Sequence, residues 1–262
     1  MDNIKEALTF DDVTLEPKYS DILPSKVDTS VKLSNQLILK IPIMSSAMDT
    51  VTESKMAIAV AKAGGIGVVH RNLIIRKQIE EIKKVKSKKY MVGAAVGTGP
   101  DEIKRAEAIL KENIDLIVVD TAHGHSKKVS EIIKRIKKIK PLKTSLCAGN
   151  IATTEAAKFM IALGVDIIKV GIGPGSICTT RLVAGIGVPQ LSAIFAVKRA
   201  VKNKKISIVS DGGIKYSGDI SKALAAGADA VMIGSLFAGS LEAPGKIIKK
   251  RNHYHKIFRG MG

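Results

Sequence analysis

Eight short apolar runs, each of the first seven followed by a stretch with helical spacing, constrain the fold of this chain more than any other feature. Strands that alternate with helices pair in parallel through helical crossovers, and eight such units predict an α/β fold, a closed TIM (β/α)8 barrel. An open, doubly wound sheet is the alternative, but no Gly-x-Gly-x-x-Gly fingerprint follows the first run. The runs begin near Ile43, Ile66, Met91, Leu116, Ser145, Ile167, Ile206 and Ala230.

Helix boundaries are marked by residues that favour them. Ser126 can cap one helix, Pro189 fits the first turn of another, and Ser217 opens a third that Gly227 closes. A weak internal repeat agrees with this, because the tripeptides that start at Gly164 and Gly227 both end in Asp just before an apolar run. The buried faces expected for the first two helices are Val129, Ile132, Ile133 and Ile136, and Leu191, Ile194, Val197 and Val201.

The length of 262 residues suits one domain, because a barrel of this type takes about 250 residues. We therefore expect residues 1–262 to form a single catalytic barrel domain, with residues 1–40 as a preamble that packs on the barrel. Apolar residues make up 45% of the chain but aromatic residues only 3%, so the core must consist of aliphatic side chains, as in buried parallel strands.

Cysteine content and charge limit the environment and the partners. The two cysteines, Cys147 and Cys178, provide no disulfide framework, and no run approaches the roughly 20 apolar residues of a membrane span. Without a signal-peptide pattern, we expect a cytoplasmic protein that has no membrane partner. The net charge of +18 arises from lysines at helix positions without a nucleic-acid motif, so we expect solvated helix faces and no specific nucleic-acid partner.

A glycine-rich stretch, residues 171–181, follows the sixth apolar run and contains Cys178. Backbone amides, two threonine hydroxyls and the guanidinium of Arg181 surround this thiol in sequence, and donors and positive charge favour a thiolate nucleophile. The simpler interpretation is a glycine-rich turn with an incidental small residue.

Polar residues and glycines also follow the other runs, at the ends where barrel enzymes carry their active sites. Gly213, and Gly234 with Ser235, follow runs seven and eight, where backbone N–H groups can bind a phosphate; alternatively, these glycines only make tight turns. Asp211 and Asp120 could each bind a ribose, or be structural. The remaining candidates carry weaker signals. We expect no transition-metal site at His70 and His123. We expect Cys147 to lie in the core and His253 and His255 to be solvated.

Several motifs resemble the family of IMP dehydrogenase and GMP reductase, over essentially the whole chain. They are LTFDDVTLEP and SKVDTSVKLS near the start, PIMSSAMDTVTE, GGIGVVHRN, VGAAVG and AGN in the barrel, and GIGPGSICTTR around Cys178. RLVAGIGVPQ is closer to the dehydrogenase than to the reductase.

The resemblance implies an NAD-dependent oxidoreductase of purine and GMP biosynthesis that oxidises IMP and works as a homotetramer with a potassium ion. Cys178 would attack C2 of the purine, with Thr180 close to the reacting carbon. The potassium ligands would be the carbonyls of Gly173, Gly175 and Cys178. The residues implied to bind NAD are Asp120, Thr121, Gly171 and Gly173. Those implied to bind IMP are Ser46, Met48, Asn150, Ser176, Asp211, Gly213, Gly234, Ser235, Met261 and Gly262.

The sequence departs from the family pattern in three ways. The regulatory cystathionine-β-synthase-type modules are missing, so helix two should run from Ile74 straight into strand three. Phe258 replaces a tyrosine whose hydroxyl would contact the phosphate. The flap that activates water, and the eighth outer helix, would lie beyond Gly262. We therefore expect slow hydrolysis of the covalent intermediate and uncovered outer faces on strands eight and one. A GMP reductase and a catalytically inactive nucleotide-binding remnant remain the alternative functions.

Overall fold

The computed structural model describes residues 6–202, 204–251 and 253–260. Its strands are β1 (Val31–Lys32), β2 (Ile38–Leu39), β3 (Ile43–Ser45), β4 (Ile66–Val69), β5 (Val92–Val96), β6 (Leu116–Asp120), β7 (Ser145–Ile151), β8 (Ile167–Val170), β9 (Ser207–Asp211), β10 (Ala230–Ile233), β11 (Ile247–Lys250) and β12 (His253–Lys256). Its α-helices are α1 (Ser54–Ala63), α2 (Ile75–Lys86), α3 (Glu102–Leu110), α4 (Lys127–Ile139), α5 (Thr154–Leu163), α6 (Thr180–Val183), α7 (Gln190–Val201), α8 (Ser217–Ala225) and α9 (Ser235–Ala238).

Strands β3 to β10 close into one barrel in which every neighbouring pair is parallel, and β10 pairs with β3. Each of the eight predicted runs is one of these strands, so the TIM barrel is confirmed. Helix α2 leads directly to β5, as expected for a chain without an inserted module at that point.

The outer helices present the predicted apolar faces to the barrel. All eight side chains predicted for α4 and α7 are buried, while Lys127, Lys128 and Lys134 on the opposite face of α4 are exposed. The hydroxyl of Ser126 accepts the Val129 N–H at 3.4 Å and caps α4, as predicted.

Ser217 opens α8, as predicted, but does not cap it, because the capping oxygen belongs to Asp219. Its carboxylate accepts the backbone N–H groups of Lys215 and Tyr216 at 2.9 and 3.0 Å, so a carboxylate one turn into the helix replaces the serine.

The repeated tripeptides have a structural explanation, because their aspartates link neighbouring strands. Asp166 accepts the Leu146 N–H at 2.8 Å, and Asp229 accepts the Ile208 N–H at 2.7 Å. Each carboxylate just before one strand thus accepts the N–H of the second residue of the preceding strand. Burial raises the pKa of Asp229, against the opposing effect of the bond from Ile208.

The preamble packs on the barrel and also fills part of its interior. Leu33, Leu37 and Leu39 are at most 1% exposed and belong to the same apolar cluster as Cys147 inside the barrel. The Ser34 hydroxyl lies 2.7 Å from the hydroxyl of Ser145, the first residue of β7. The β1–β2 hairpin therefore plugs the amino-terminal end of the barrel.

The segment after β10 covers the outer face that we expected to be exposed. Among the described residues, only the four-residue helix α9 and the β11–β12 hairpin follow this strand, so no long eighth helix is present there. Val231 and Ile233 of β10 are nevertheless 0% and 3% exposed, which contradicts the expected uncovered face. Phe237 packs against both the main outer core and the α1 side chains Met56 and Val60.

Within the described ranges, the helices are all too short or too polar for a transmembrane segment.

Candidate active site

The predicted site residues lie at the carboxyl ends of the barrel strands, around two adjoining cavities of about 450 and 90 Å³. Both cavities are lined by Ser46, Met48, Gly175 and Asp211. The larger cavity also contains Asp120, Thr121, Asn150, Gly171, Gly173, Cys178 and Thr180. The smaller cavity also contains Ser176, Gly213, Gly234 and Ser235. Met261 and Gly262 lie outside the described residues.

Cys178 is half-buried at the wall of the larger cavity, in the loop between β8 and α6. Its N–H donates to the Gly175 carbonyl at 3.0 Å, which closes a tight turn around the thiol. Its Sγ donates to Oγ1 of Thr180 at 3.2 Å. The thiol predicted as nucleophile is thus accessible from the cavity and held by the predicted threonine.

Arg181 braces the cysteine loop. Its Nη2 donates to the Val188 carbonyl at 2.7 Å, so the guanidinium bonds to the backbone of the loop's far end. A Cβ on Gly173 or Gly187 would lie 2.7 or 2.6 Å from Arg181 Cγ, so the arginine passes through a gap that exists because both neighbours are glycines. Arg181 therefore supports the loop mechanically, and its expected role as a positive charge beside the thiol stays a prediction.

A buried ion cluster forms the floor of the larger cavity. Lys169 on β8 is 3% exposed, and its Nζ lies 2.8 Å from Oδ1 of Asp120 and 2.6 Å from Oδ2 of Asp211. It also donates to Oδ1 of Asn150, whose Nδ2 donates to Asp211 and to the Gly171 carbonyl, both at 2.8 Å. Four consecutive strands, β6 to β9, thus contribute one polar side chain each to a single network.

The shape of the smaller cavity lets a ligand approach the protein backbone closely. Gly212 and Gly213 both have positive φ, +89° and +82°, a conformation that strains any residue with a Cβ. A Cβ on Gly234 would lie 2.9 Å from the Ser46 hydroxyl, which is buried and has no hydrogen-bond partner among the described residues. An unpartnered buried hydroxyl beside bare backbone fits a polar ligand group at the junction of the two cavities. The Phe258 ring lines this cavity, at the position of the expected tyrosine.

His70 is held by neighbouring residues. His70 is 1% exposed, its Nδ1 accepts the Asn72 N–H at 3.1 Å, and its Nε2 lies 3.4 Å from Oε1 of Glu53. In the described part of the chain, no three His, Cys, Asp or Glu side chains are grouped so that they could hold a metal ion. Cys147 is buried in the barrel interior, as predicted, and burial raises its pKa to about 12. His253 and His255 are exposed on β12.

Asp49 lies at the same rim of the barrel as the cavities. Although burial opposes its ionisation, hydrogen bonds from Arg259 at 2.5 Å and Asn72 at 2.7 Å hold the pKa of this carboxyl below its usual value. The side chain of Arg259 thereby fastens the segment after β12 to the rim.

The carbonyls of Gly173, Gly175 and Cys178 are neutral oxygen donors within one short turn, which is the donor type that suits potassium. The Gly175 oxygen already accepts the Cys178 N–H but retains a second lone pair. The donor set therefore fits the ion that the resemblance implies, and its assignment stays a prediction.

Lys169 and Arg71 also line the larger cavity, and neither was predicted as a site residue from the sequence. A lysine in the otherwise apolar strand Ile167–Val170 was the available signal, because a charge in a buried strand needs partners. Arg71 offered no comparable signal among the many basic residues of this chain.

Comparison with known proteins identifies the family. Residues 7–262 match the model of the IMP dehydrogenase / GMP reductase domain. An inosine-5'-monophosphate dehydrogenase of Borreliella burgdorferi is 46% identical over 98% of this chain and 76% of its own length. Similar enzymes of Cryptosporidium parvum and Aquifex aeolicus are 42% and 38% identical, over 99% of this chain and 75% and 79% of their own lengths.

The alignment with the Aquifex enzyme spans 387 positions, more than the 262 residues of this chain, so that relative contains internal residues that are missing here. Identity at this level, over nearly the whole chain and with the predicted motifs at one rim of a TIM barrel, leads to one conclusion: the chain belongs to the IMP dehydrogenase / GMP reductase family.

Proposed function

We propose that this protein oxidises IMP to XMP, with NAD as the hydride acceptor, through a covalent bond between Cys178 and the purine. The observation that carries the proposal is the placement of the Cys178 thiol in the larger cavity, next to the glycine-lined smaller cavity. This arrangement suits a purine nucleotide whose phosphate occupies the smaller cavity and whose base lies against the thiol.

In the first half-reaction, the Cys178 sulfur adds to C2 of IMP and the C2 hydrogen leaves with its electron pair as hydride. Bound next to Asp120, NAD would supply the hydride acceptor for this step and leave as NADH. The thiol proton is directed at Thr180, which places that hydroxyl where it can pass the proton to solvent. In the second half-reaction, water adds at C2 and the C–S bond breaks, which releases XMP and restores the thiol.

The ribose contacts follow from the position of the carboxylates. Asp211 lines both cavities and would accept hydrogen bonds from the IMP ribose, while Asp120 lines only the larger cavity and would bind the ribose next to the nicotinamide. Asn150, Ser46 and Met48 would contact the base side.

The test is a pair of assays on the purified 262-residue protein with potassium present. We expect NADH absorbance to rise with IMP plus NAD, and Cys178→Ser to abolish the rise, whereas Cys147→Ser leaves it intact because Cys147 lies inside the barrel wall. Oxidation of NADPH in the presence of GMP, without the first reaction, would instead identify a reductase. Nucleotide binding without either reaction would identify an inactive remnant.

The same time course tests the expectation of slow hydrolysis. If the second half-reaction limits turnover by the 10²–10⁴-fold that loss of a general base typically causes, NADH appears in a burst close to the number of active sites and then slowly. A linear time course without a burst would show that hydrolysis keeps pace in this chain.

We also propose that the protein assembles as a homotetramer. Apolar side chains of the preamble are exposed in the single chain, including Tyr19 at 94%, Leu23 at 66% and Ile22 at 57% exposure, and association would cover them. Light scattering after size exclusion should give four times the mass of the 27.9 kDa chain; a monodisperse monomer would contradict the proposal.

A further inference from the structure

Lys169 is a charged side chain buried in the barrel, and every proton of its ammonium group has a partner. An ammonium carries three N–H donors, and the three acceptors are carboxylate oxygens of Asp120 and Asp211 and the amide oxygen of Asn150. Burial alone would favour the neutral amine, but the two carboxylates outweigh it and raise the pKa of Lys169. This lysine is therefore a fixed positive charge rather than a reacting amine.

The barrel makes room for this charge at the expense of a neighbouring side chain. A Cβ on Gly149 of β7 would lie 2.7 Å from Lys169 Cβ and 2.4 Å from the Lys169 carbonyl oxygen. Only a glycine at that position lets the lysine stem rise beside β7 to the cavity floor.

The two carboxylates are the main electrostatic partners of the ammonium, because the other titratable groups near it are uncharged or bonded elsewhere. Cys147 of β7 interacts with Lys169 but stays an uncharged thiol, because burial raises its pKa to about 12. Asp166, at the start of β8, bonds to Leu146 at the other end of the strand. Arg71 and Cys178 line the same cavity.

We propose that Lys169 is a positioning residue that couples the IMP and NAD subsites, because one ammonium holds the carboxylates of both. It bonds to Asp120 and Asp211 at once and offsets the repulsion between them, and through its bond to Asn150 it fixes the amide that faces the base. The inference rests on the proposed function, which assigns Asp211 to the IMP ribose and Asp120 to the NAD ribose.

Removal of the ammonium should make nucleotide binding depend on pH. Without it, two partly buried carboxylates face each other, so their repulsion raises the pKa of one of them. Above that pKa both are ionised and move apart, and the ribose contact of Asp211 is lost. Below it, a shared proton brings them together again and restores the contact. The protein with Lys169 intact, which holds both carboxylates, should lack this carboxylate-dependent change.

The experiment measures IMP binding by calorimetry in the Cys178→Ala protein, which cannot form the covalent bond. We expect Lys169→Met to weaken IMP binding at least about tenfold at about pH 8, and the loss to shrink as the pH falls. Adding Asp120→Asn to Lys169→Met should recover most of the affinity at about pH 8, because it removes the repulsion. Asp120 lies outside the proposed IMP subsite, so a purely local role of Lys169 predicts no such recovery.

The matched control is Lys86→Met. Lys86 is a partly buried lysine whose Nζ lies 2.9 Å from the carboxylate of Asp115, and this pair is far from the site. We expect it to leave IMP affinity unchanged at every pH. Unchanged affinity in Lys169→Met, or a loss that Asp120→Asn does not reverse, would overturn the coupling role.

Two further outcomes separate the possible failures. If the Cys178→Ala parent binds no IMP, the proposed function fails and the coupling fails with it; normal binding by the parent confines any failure to the coupling. If Lys169→Met does not fold, the double variant Lys169→Met with Asp120→Asn, which has the same net charge as the parent, is tested in its place. A cooperatively melting variant that binds IMP supports the proposal, and an unfolded one shows that Lys169 serves the fold alone.

Discussion

The two cysteines of this chain show how position decides the chemistry of a residue. Cys147 is 0% exposed between barrel strands, where burial raises its pKa to about 12 and leaves an inert thiol. Cys178 lies on a glycine-rich loop at the cavity wall, with its thiol directed at Thr180. The same type of side chain packs in the core at position 147 and is the candidate nucleophile at position 178.

At the residue scale, Gly213 should be essential for binding the nucleotide phosphate. Gly213→Val places a β-branched side chain at φ +82°, which costs about 1–3 kcal/mol of strain or forces the loop to change shape. We expect IMP binding to weaken at least about tenfold, or about 1.4 kcal/mol, with little change for inosine, which lacks the phosphate. Calorimetry with both ligands measures the difference.

Gly218 is the matched control for this substitution. A Cβ at Gly218 would meet no atom within 4 Å, and the residue lies in the first turn of α8. Gly218→Val should therefore bind IMP normally. An equal loss for IMP and inosine in Gly213→Val would mean that the loop supports the nucleoside rather than the phosphate.

At the scale of elements, the β1–β2 hairpin closes the amino end of the barrel with leucines. Leu37 is 0% exposed inside the barrel, whereas its neighbour Ile38 is 56% exposed. We expect Leu37→Ala to lower the free energy of unfolding by about 2–5 kcal/mol, since it leaves a cavity in a closed core. Ile38→Ala should change it by no more than about 0.5 kcal/mol.

Urea unfolding followed by circular dichroism measures both variants. Equal stability losses for Leu37→Ala and Ile38→Ala would contradict the role of the hairpin as a plug. Activity loss without a stability change in Leu37→Ala would contradict it as well, because the hairpin lies at the end opposite the active site.

Periodicity along the sequence predicted the elements of this fold because it reflects local geometry. The face of α4 from Val129 to Ile136 and the start of each strand follow from spacing that neighbouring residues impose on one another. The position of the site at one rim of the barrel was predictable as well, since parallel strands place their carboxyl ends together.

What the sequence could not predict depends on contacts between distant residues. Nothing near Leu37 indicates that it enters a barrel whose strands begin at residue 43. Lys169 meets Asp120 and Asp211 only when β6, β8 and β9 lie side by side. The contacts of Arg181 with Gly187 and Val188 form only when the loop folds back on itself.

At the scale of the whole molecule, the positive charge and the position of the cavities act in the same direction. The net charge of +18 attracts anionic nucleotides over distances of about a Debye length, 8–10 Å at physiological salt. The barrel directs both cavities to one end, while its other end is plugged.

Peptide mass spectrometry of the protein mixed with IMP and NAD tests directly whether Cys178 is the nucleophile. After rapid acid quenching and digestion, the peptide that contains Cys178 should carry the added mass of the oxidised nucleotide, and the peptide that contains Cys147 should not. Omission of NAD, or Cys178→Ser, should remove the modified peptide, whereas Cys147→Ser should keep it. Sustained NADH formation with an unmodified Cys178 peptide, or formation of NADH by Cys178→Ser at the normal rate, would contradict the covalent role of Cys178.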